Sequence, residues 1–210
     1  MVADGSNSSR APRRSKTDVV DAALALLDRV GLPDLSMRRL ADELGVQPSA
    51  LYWHVENKQE LLAAVSARIL APVSADGARD TRPPLGEAAR MLGERLHDRL
   101  LAHRDGAEVV SSSLALGLVE SPLHLVLAER YPDAGHAPQV VADAVTHFVV
   151  GYTFHEQQRT AADALGVASG TAALAPEGAA SRRPDPFAAA LALITAAADL
   201  SAASEPAARR

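Results

Sequence analysis

The 210-residue chain is 48% hydrophobic and 22% charged, an ordinary globular balance with room for one small and one larger domain. It contains no cysteine, which excludes disulfides, thiolate metal sites and cysteine nucleophiles. The formal net charge of −5 argues against a nucleic-acid partner only if it is evenly spread, and it is not: through Leu70 nine Lys and Arg balance nine Asp and Glu, and all the excess acid follows. No apolar run approaches the roughly 20 residues that span a bilayer. The first fifteen residues are polar, with Arg10, Arg13 and Arg14 and no apolar core of a secretory signal, so the expected location is cytoplasmic, with no membrane partner.

In chain order, residues 1–15 read as a flexible arm. Val19, Val20, Ala23, Leu24, Leu26 and Leu27 then trace an apolar stripe, with Asp18, Asp21, Asp28 and Arg29 set toward solvent, until Gly31 and Pro33 end the helix. Ser36 is placed to cap a short helix over 37–44 that Gly45 closes in the left-handed conformation. Pro48 suits the first turn of a third helix running through Leu51, Tyr52 and Trp53. Asn57 and Glu60 have N-cap and N3 spacing for a fourth helix ending near Leu70. Residues 71–84, rich in Pro, Gly, Ser and Asp, read as a linker. Helical spacing resumes over 85–102 and continues with breaks at Asp105–Gly106, Ser121–Pro122 and 133–138. A long helix is expected over 137–165, then a mobile loop over 166–185, a last apolar helix over 186–203 and a tail over 204–210. Strand alternation is nearly absent while Ala and Leu recur at helical spacing. The expected fold class is all-α: a domain over 16–70 and a larger helical one over 85–203.

Residues 37–54 have the layout of a helix-turn-helix, in which the second helix enters the major groove and offers its first side chains to base edges. Leu40, Ala41, Leu44, Val46 and Leu51 would hold the helices together. That leaves Arg38, Arg39, Gln47, Ser49, Tyr52, Trp53, His54 and Lys58 near the surface. Arginine can reach guanine or phosphate, aromatic rings can pack on sugar and thymine methyls, and a lysine at a helix start can grip phosphate. Two readings of Tyr52 and Trp53 stand: core aromatics between three helices, or an exposed face that something covers.

The run Ala22–Ala23–Leu24–Ala25–Leu26–Leu27, the segment from Leu35–Ser36–Met37–Arg38–Arg39 to Gly45–Val46, and above all Leu51–Tyr52–Trp53–His54–Val55–Glu56–Asn57–Lys58 resemble the DNA-binding domain of the tetracycline repressor family. The resemblance covers 16–70 without gaps. It implies a homodimer whose two recognition helices read a palindromic operator on double-stranded DNA. Arg38, Pro48, Ser49, Ala50, Tyr52, Trp53, His54 and Lys58 fall where family members touch DNA. Ala50 stands where some relatives carry a hydroxyl, which implies a different operator. The arm, with Arg10, Arg13, Arg14 and Lys16, either reaches phosphates and the minor groove or is an inert polar tail.

Farther along, His103–Arg104–Asp105–Gly106–Ala107 and His147–Phe148–Val149–Val150–Gly151 with Glu156–Gln157 resemble the regulatory domain of the tetracycline repressor type. The implied design is a dimer joined through helices near 137–165 and 186–203, with a small-molecule inducer bound inside each core. The inducer positions depart from the pattern. Val110 stands where a metal-ligating histidine follows the His-Arg-Asp-Gly-Ala run, Ser113 at a threonine position, His155 for an acidic residue, and Ser74 for a tetracycline-contacting histidine. Val110 offers a magnesium–tetracycline complex neither oxygen nor imidazole, so another inducer is expected, with no metal site and no cofactor. The candidate ligand residues are His103, Val110, Ser113, His147, Tyr152 and His155, with His124 and Gln157 as further polar candidates. His147, Gly151 and His155 repeat every four residues along one helix face, either a ligand face or interface and core histidines.

No Gly-rich phosphate loop, paired catalytic carboxylates or Gly-x-Ser-x-Gly elbow is present. Ser111–Ser112–Ser113 has no base spaced against it, so no enzyme is expected. The alternatives to a repressor are an activator, which differs only in operator position, and an inducer-independent DNA-binding protein, whose second domain would be packed without a cavity.

Overall fold

The computed structural model describes residues 15–75, 82–166 and 185–204. Residues 1–14 of the expected arm, 76–81 of the linker, 167–184 of the loop and 205–210 of the tail lie outside the described residues. Among the described residues the elements are α-helices and no strand occurs.

α1 (Lys16–Val30) begins in a capping box. Ser15 Oγ accepts from the Asp18 amide at 3.1 Å, and the Asp18 carboxylate accepts from the Ser15 amide at 2.7 Å. Each bond satisfies an N–H that the first turn leaves without a helical partner. α2 (Met37–Leu44) starts at Ser36, whose Oγ accepts from the Arg39 amide, and ends at Gly45 at φ 65°. α3 (Pro48–Leu51) is one turn long, and Tyr52 is its C-cap. The sequence expectation of a third helix through Trp53 is therefore too long. Its last residues form a turn in which the His54 and Val55 amides both donate to the Leu51 carbonyl.

α4 (Lys58–Ala75) starts where expected, with the Glu60 amide donating to Asn57 Oδ1 at 2.9 Å. It does not stop near Leu70. The helix continues to Ala75 with Pro72 inside it, into the stretch expected as linker. Proline removes one backbone donor, but Ile69, Leu70 and Val73 are buried and hold the last turn onto the core.

Glu60 also ties the first domain together. Its Oε1 accepts from Lys16 Nζ at 2.8 Å and its Oε2 from the Glu56 amide at 2.6 Å. These bonds, the lysine's first, hold its carboxyl below the ordinary glutamate value. A depressed carboxyl pKa stabilises the fold above the unfolded-state value and loses that effect as pH falls through the folded one. The melting-temperature gap between wild type and Glu60→Gln is therefore expected at neutral pH and should close on acidification below the ordinary glutamate range. A gap that persists in acid would rule out the charged pairing as its cause.

The second domain is built on α5 (Leu85–Leu101), α6 (Gly106–Ala115), α7 (Pro122–Arg130), α8 (Ala137–Ala164) and α9 (Pro186–Ser204). α5 packs against α4, α6, α7, α8 and α9, and Leu92, Leu96 and Leu100 along it are buried. α4 joins the two domains, packing on α1 at one end and on α5, α6 and α7 at the other. Ser66 of α4 is fully buried, and its Oγ lies 2.8 Å from Ser113 Oγ and 3.2 Å from the Val109 carbonyl of α6. Buried hydroxyls need such partners, so the pair fixes α4 and α6 in one register.

Candidate DNA-binding face and cavity

Leu40, Ala41 and Leu44 of α2, Leu51 of α3 and Val55 after it are buried together, which sets α3 against α2 as a helix-turn-helix. Outside this core lies a continuous polar and aromatic face. Arg38, Pro48, Ser49, Tyr52, Trp53 and Lys58 are exposed, and Ala50 and His54 are half-buried. Trp53 is 90% exposed and Tyr52 52%, so neither is a core aromatic. Among the described residues Arg38 and Lys58 form no ion pair, whereas Arg39 is turned to Asp34 at 3.4 Å and Arg29 to Glu43 at 2.7 Å. Two cations, from α2 and the start of α4, and two aromatic rings at the end of the short α3 form a surface suited to phosphate and base-edge contacts.

Behind this face, the end of α1 meets the turn between α5 and α6. His103 Nδ1 lies 3.1 Å from an Asp28 carboxylate oxygen, and the Arg104 amide donates to Asp28. Arg104 donates from its guanidinium to the Arg29 carbonyl, and Asp105 accepts from the Leu32 amide at 2.7 Å. Asp105 adopts φ 55°, a conformation that Asp and Asn tolerate better than most residues. Gln157 of α8 secures the same turn from the other side. Its Nε2 donates to the Leu100 and His103 carbonyls, and its Oε1 accepts from the Ala107 amide.

A cavity of about 730 Å³ opens between the end of α6, the α6–α7 connection, α7 and α8, within the ~300–1,000 Å³ of small-molecule sites. Its α8 wall runs from Asp143 through Thr146, His147, Val150 and Gly151 to Phe154, one face of a helix at i, i+3, i+4 and i+7 spacing. At the Asp143 end, His124 Nε2 lies 3.0 Å from the Asp143 carboxylate, and the buried hydroxyls of Ser121 and Thr146 are 2.7 Å apart. His147 Nδ1 is 2.8 Å from the Asp143 carbonyl.

The six sequence-derived ligand candidates are not brought together. His147 lines the cavity. Val110 is in the core with no exposure, and Ser113 is 2% exposed and bonded to Ser66. His103 faces Asp28 at the domain junction. Tyr152 belongs to an aromatic cluster in which His97 stacks on Phe187 at 3.8 Å and Tyr152 and Phe148 pack around that ring. His155 is exposed beyond the cavity. Glu120, Asp143 and Thr146 also line the cavity; the 143–154 spacing marks the two α8 residues in the sequence, and nothing local marks Glu120.

Residues 19–65 match the family described as bacterial regulatory proteins, tetR family. The chain is 33% identical over 160 residues to the tetracycline repressor protein class D of Escherichia coli, covering 71% of this chain and 70% of that protein. Its fold is similar to that of BioQ from Mycobacterium smegmatis, with a TM-score of 0.71, 37% identity, and coverage of 90% of this chain and 99% of that one. A structure of BioQ with its double-stranded DNA operator is similar at a TM-score of 0.63 and 35% identity, covering 89% and 99% of the two chains. No helix among the described residues is long and apolar enough to cross a membrane. With its helix-turn-helix, its all-α second domain and these relatives, the chain belongs to the tetracycline repressor family and is a DNA-binding transcriptional regulator.

Proposed function

We propose that the protein is a homodimeric repressor released from a palindromic operator by a small-molecule effector other than magnesium–tetracycline. The observation that carries this reading is the pairing of an uncovered Arg38–Tyr52–Trp53–Lys58 face with a drug-sized cavity, linked through α6. One end of α6 lines the cavity with Ser111, Leu114 and Ala115. Its other end follows Asp105, which holds the Leu32 amide of the DNA-binding domain. In between, Ser113 holds Ser66 of α4, the helix whose first residue is Lys58. An effector that displaces α6 thus moves both α1 and α4, and recognition helices must sit about 34 Å apart to enter successive major grooves. Val110, buried in the core, supplies no ligand to a metal–tetracycline complex.

The dimer is proposed through α8 and α9. Val140 on α8 and Leu193 on α9 are 64% and 77% exposed, apolar surface that a second copy would cover. Titration by anisotropy at fixed salt, on a palindrome selected from DNA upstream of the gene and on its isolated half-site, tests the reading. Wild type should prefer the palindrome by at least about a hundredfold, since two linked half-sites bind with avidity. Leu193→Glu should sediment as a monomer and lose that preference. Equal affinity for palindrome and half-site in the wild type would overturn the dimeric operator reading.

A further inference from the structure

The geometry points to a cationic amphiphile, an amine-bearing molecule with an extended apolar body, as the ligand class of the α6–α8 cavity. This inference rests on reading that cavity as the effector site, and it adds the chemistry that would select the effector. None of the residues lining the cavity is Lys or Arg, while Glu120 and Asp143 both line it. The fixed charge facing a ligand is therefore negative only. An anion placed there would be repelled by both carboxylates and would gain no fixed counter-charge. A cation meets two carboxylates.

The charge is also placed at one end. Along α8 the wall passes from Asp143, with His124 beside it at 3.0 Å, to Val150, Gly151 and Phe154. From Asp143 to Phe154 is about 16 Å of helix at 1.5 Å per residue. Leu114 and Leu118 add apolar surface from the end of α6 and the connection after it. Because the Ser121 and Thr146 hydroxyls satisfy each other at 2.7 Å, the polar floor does not demand a richly hydroxylated ligand such as a sugar. The site therefore selects for a charged head against Glu120 and Asp143 and an apolar body toward Phe154.

Gly151 makes this testable without disturbing the core. A Cβ built there meets no atom within 4 Å, so Gly151→Leu projects a side chain into the cavity. Rhodamine 6G and fluorescein, which share a xanthene skeleton and carry opposite charge, separate charge from shape. Full-length protein titrated with each dye by anisotropy should bind rhodamine 6G at least about tenfold more tightly than fluorescein. The Glu120→Gln, Asp143→Asn double variant should weaken rhodamine binding at least about tenfold. Gly151→Leu should abolish it with the melting temperature unchanged.

Equal or tighter fluorescein binding, no rhodamine binding, or rhodamine binding indifferent to the double variant or to Gly151→Leu would overturn the inference. Repeating the operator titration with bound rhodamine separates it from the regulatory reading. Binding with the charge dependence above but no change in operator affinity would leave the ligand class standing and sink effector-driven release, because coupling between the sites is reciprocal.

Discussion

Replacing Trp53 with alanine is expected to weaken operator binding roughly tenfold to a hundredfold, the ~1–3 kcal/mol of a lost groove contact, with almost no change in melting temperature. Trp53 is 90% exposed, so its removal takes no packing from the core, and surface substitutions of that kind stay within about 0.5 kcal/mol. The turn that carries it is held from either side. Leu51 and Val55 are each 1% exposed, and the His54 and Val55 amides donate to the Leu51 carbonyl at 2.8 and 3.0 Å. Leu51→Ala is the contrasting variant. It removes a fully buried side chain, at about 2–5 kcal/mol, and should lower the melting temperature and operator binding together. Thermal melts beside anisotropy titrations at one salt concentration distinguish the two. Operator affinity unchanged in Trp53→Ala would remove the indole from the reading surface.

How much of this could be read from the chain depends on whether the deciding interaction was local. The caps at Ser36, Gly45 and Asn57 act within four residues, so helix starts and stops in the first domain are visible in the sequence. The apolar spacing of α8 and α9 likewise fixes two long helices to within a residue or two of their ends. The α4 extension was hidden because Pro72 and the polar residues after it look like a linker. What carries the helix past them is burial of Val73 against distant residues. His103 drew attention as a titratable group near the resemblance to a ligand site. Its partner is Asp28, 75 residues away, and no spacing rule joins them. Asp28 faces solvent on the α1 stripe as expected, and the α5–α6 turn also contacts it. Ser113, too, was legible as a small polar residue but not as half of a buried hydroxyl pair with Ser66. The second domain's polar residues thus sort into cavity wall, domain junction and core only through tertiary contacts.

The junction between domains should be the most sensitive point outside the core, and Gly31→Ala should expose it. Gly31 sits at φ 81° and ψ 168°, a region that is essentially glycine-only and costs other residues about 1–3 kcal/mol. A Cβ there would also lie 2.9 Å from Asp105 Oδ2 and 3.0 Å from Arg104 Nε. Relief requires the Asp105 and Arg104 side chains to move, which breaks the Leu32 amide bond to Asp105 and loosens Arg104 from the Arg29 carbonyl. The expected result is a fall in melting temperature of about 5–10 °C, at 2–4 °C per kcal/mol for a chain of this size. A double-mutant cycle with Asp105→Ala divides the causes. If the clash with Asp105 dominates, the double variant should melt above Gly31→Ala, since the obstructing carboxylate is gone. Were the backbone conformation alone responsible, the two losses would add. A single Gly31→Ala variant as stable as wild type would mean that the α1–α2 turn is free to change shape without the second domain, and the α6 route from cavity to DNA-binding domain would then have to run through Ser66 and α4 alone.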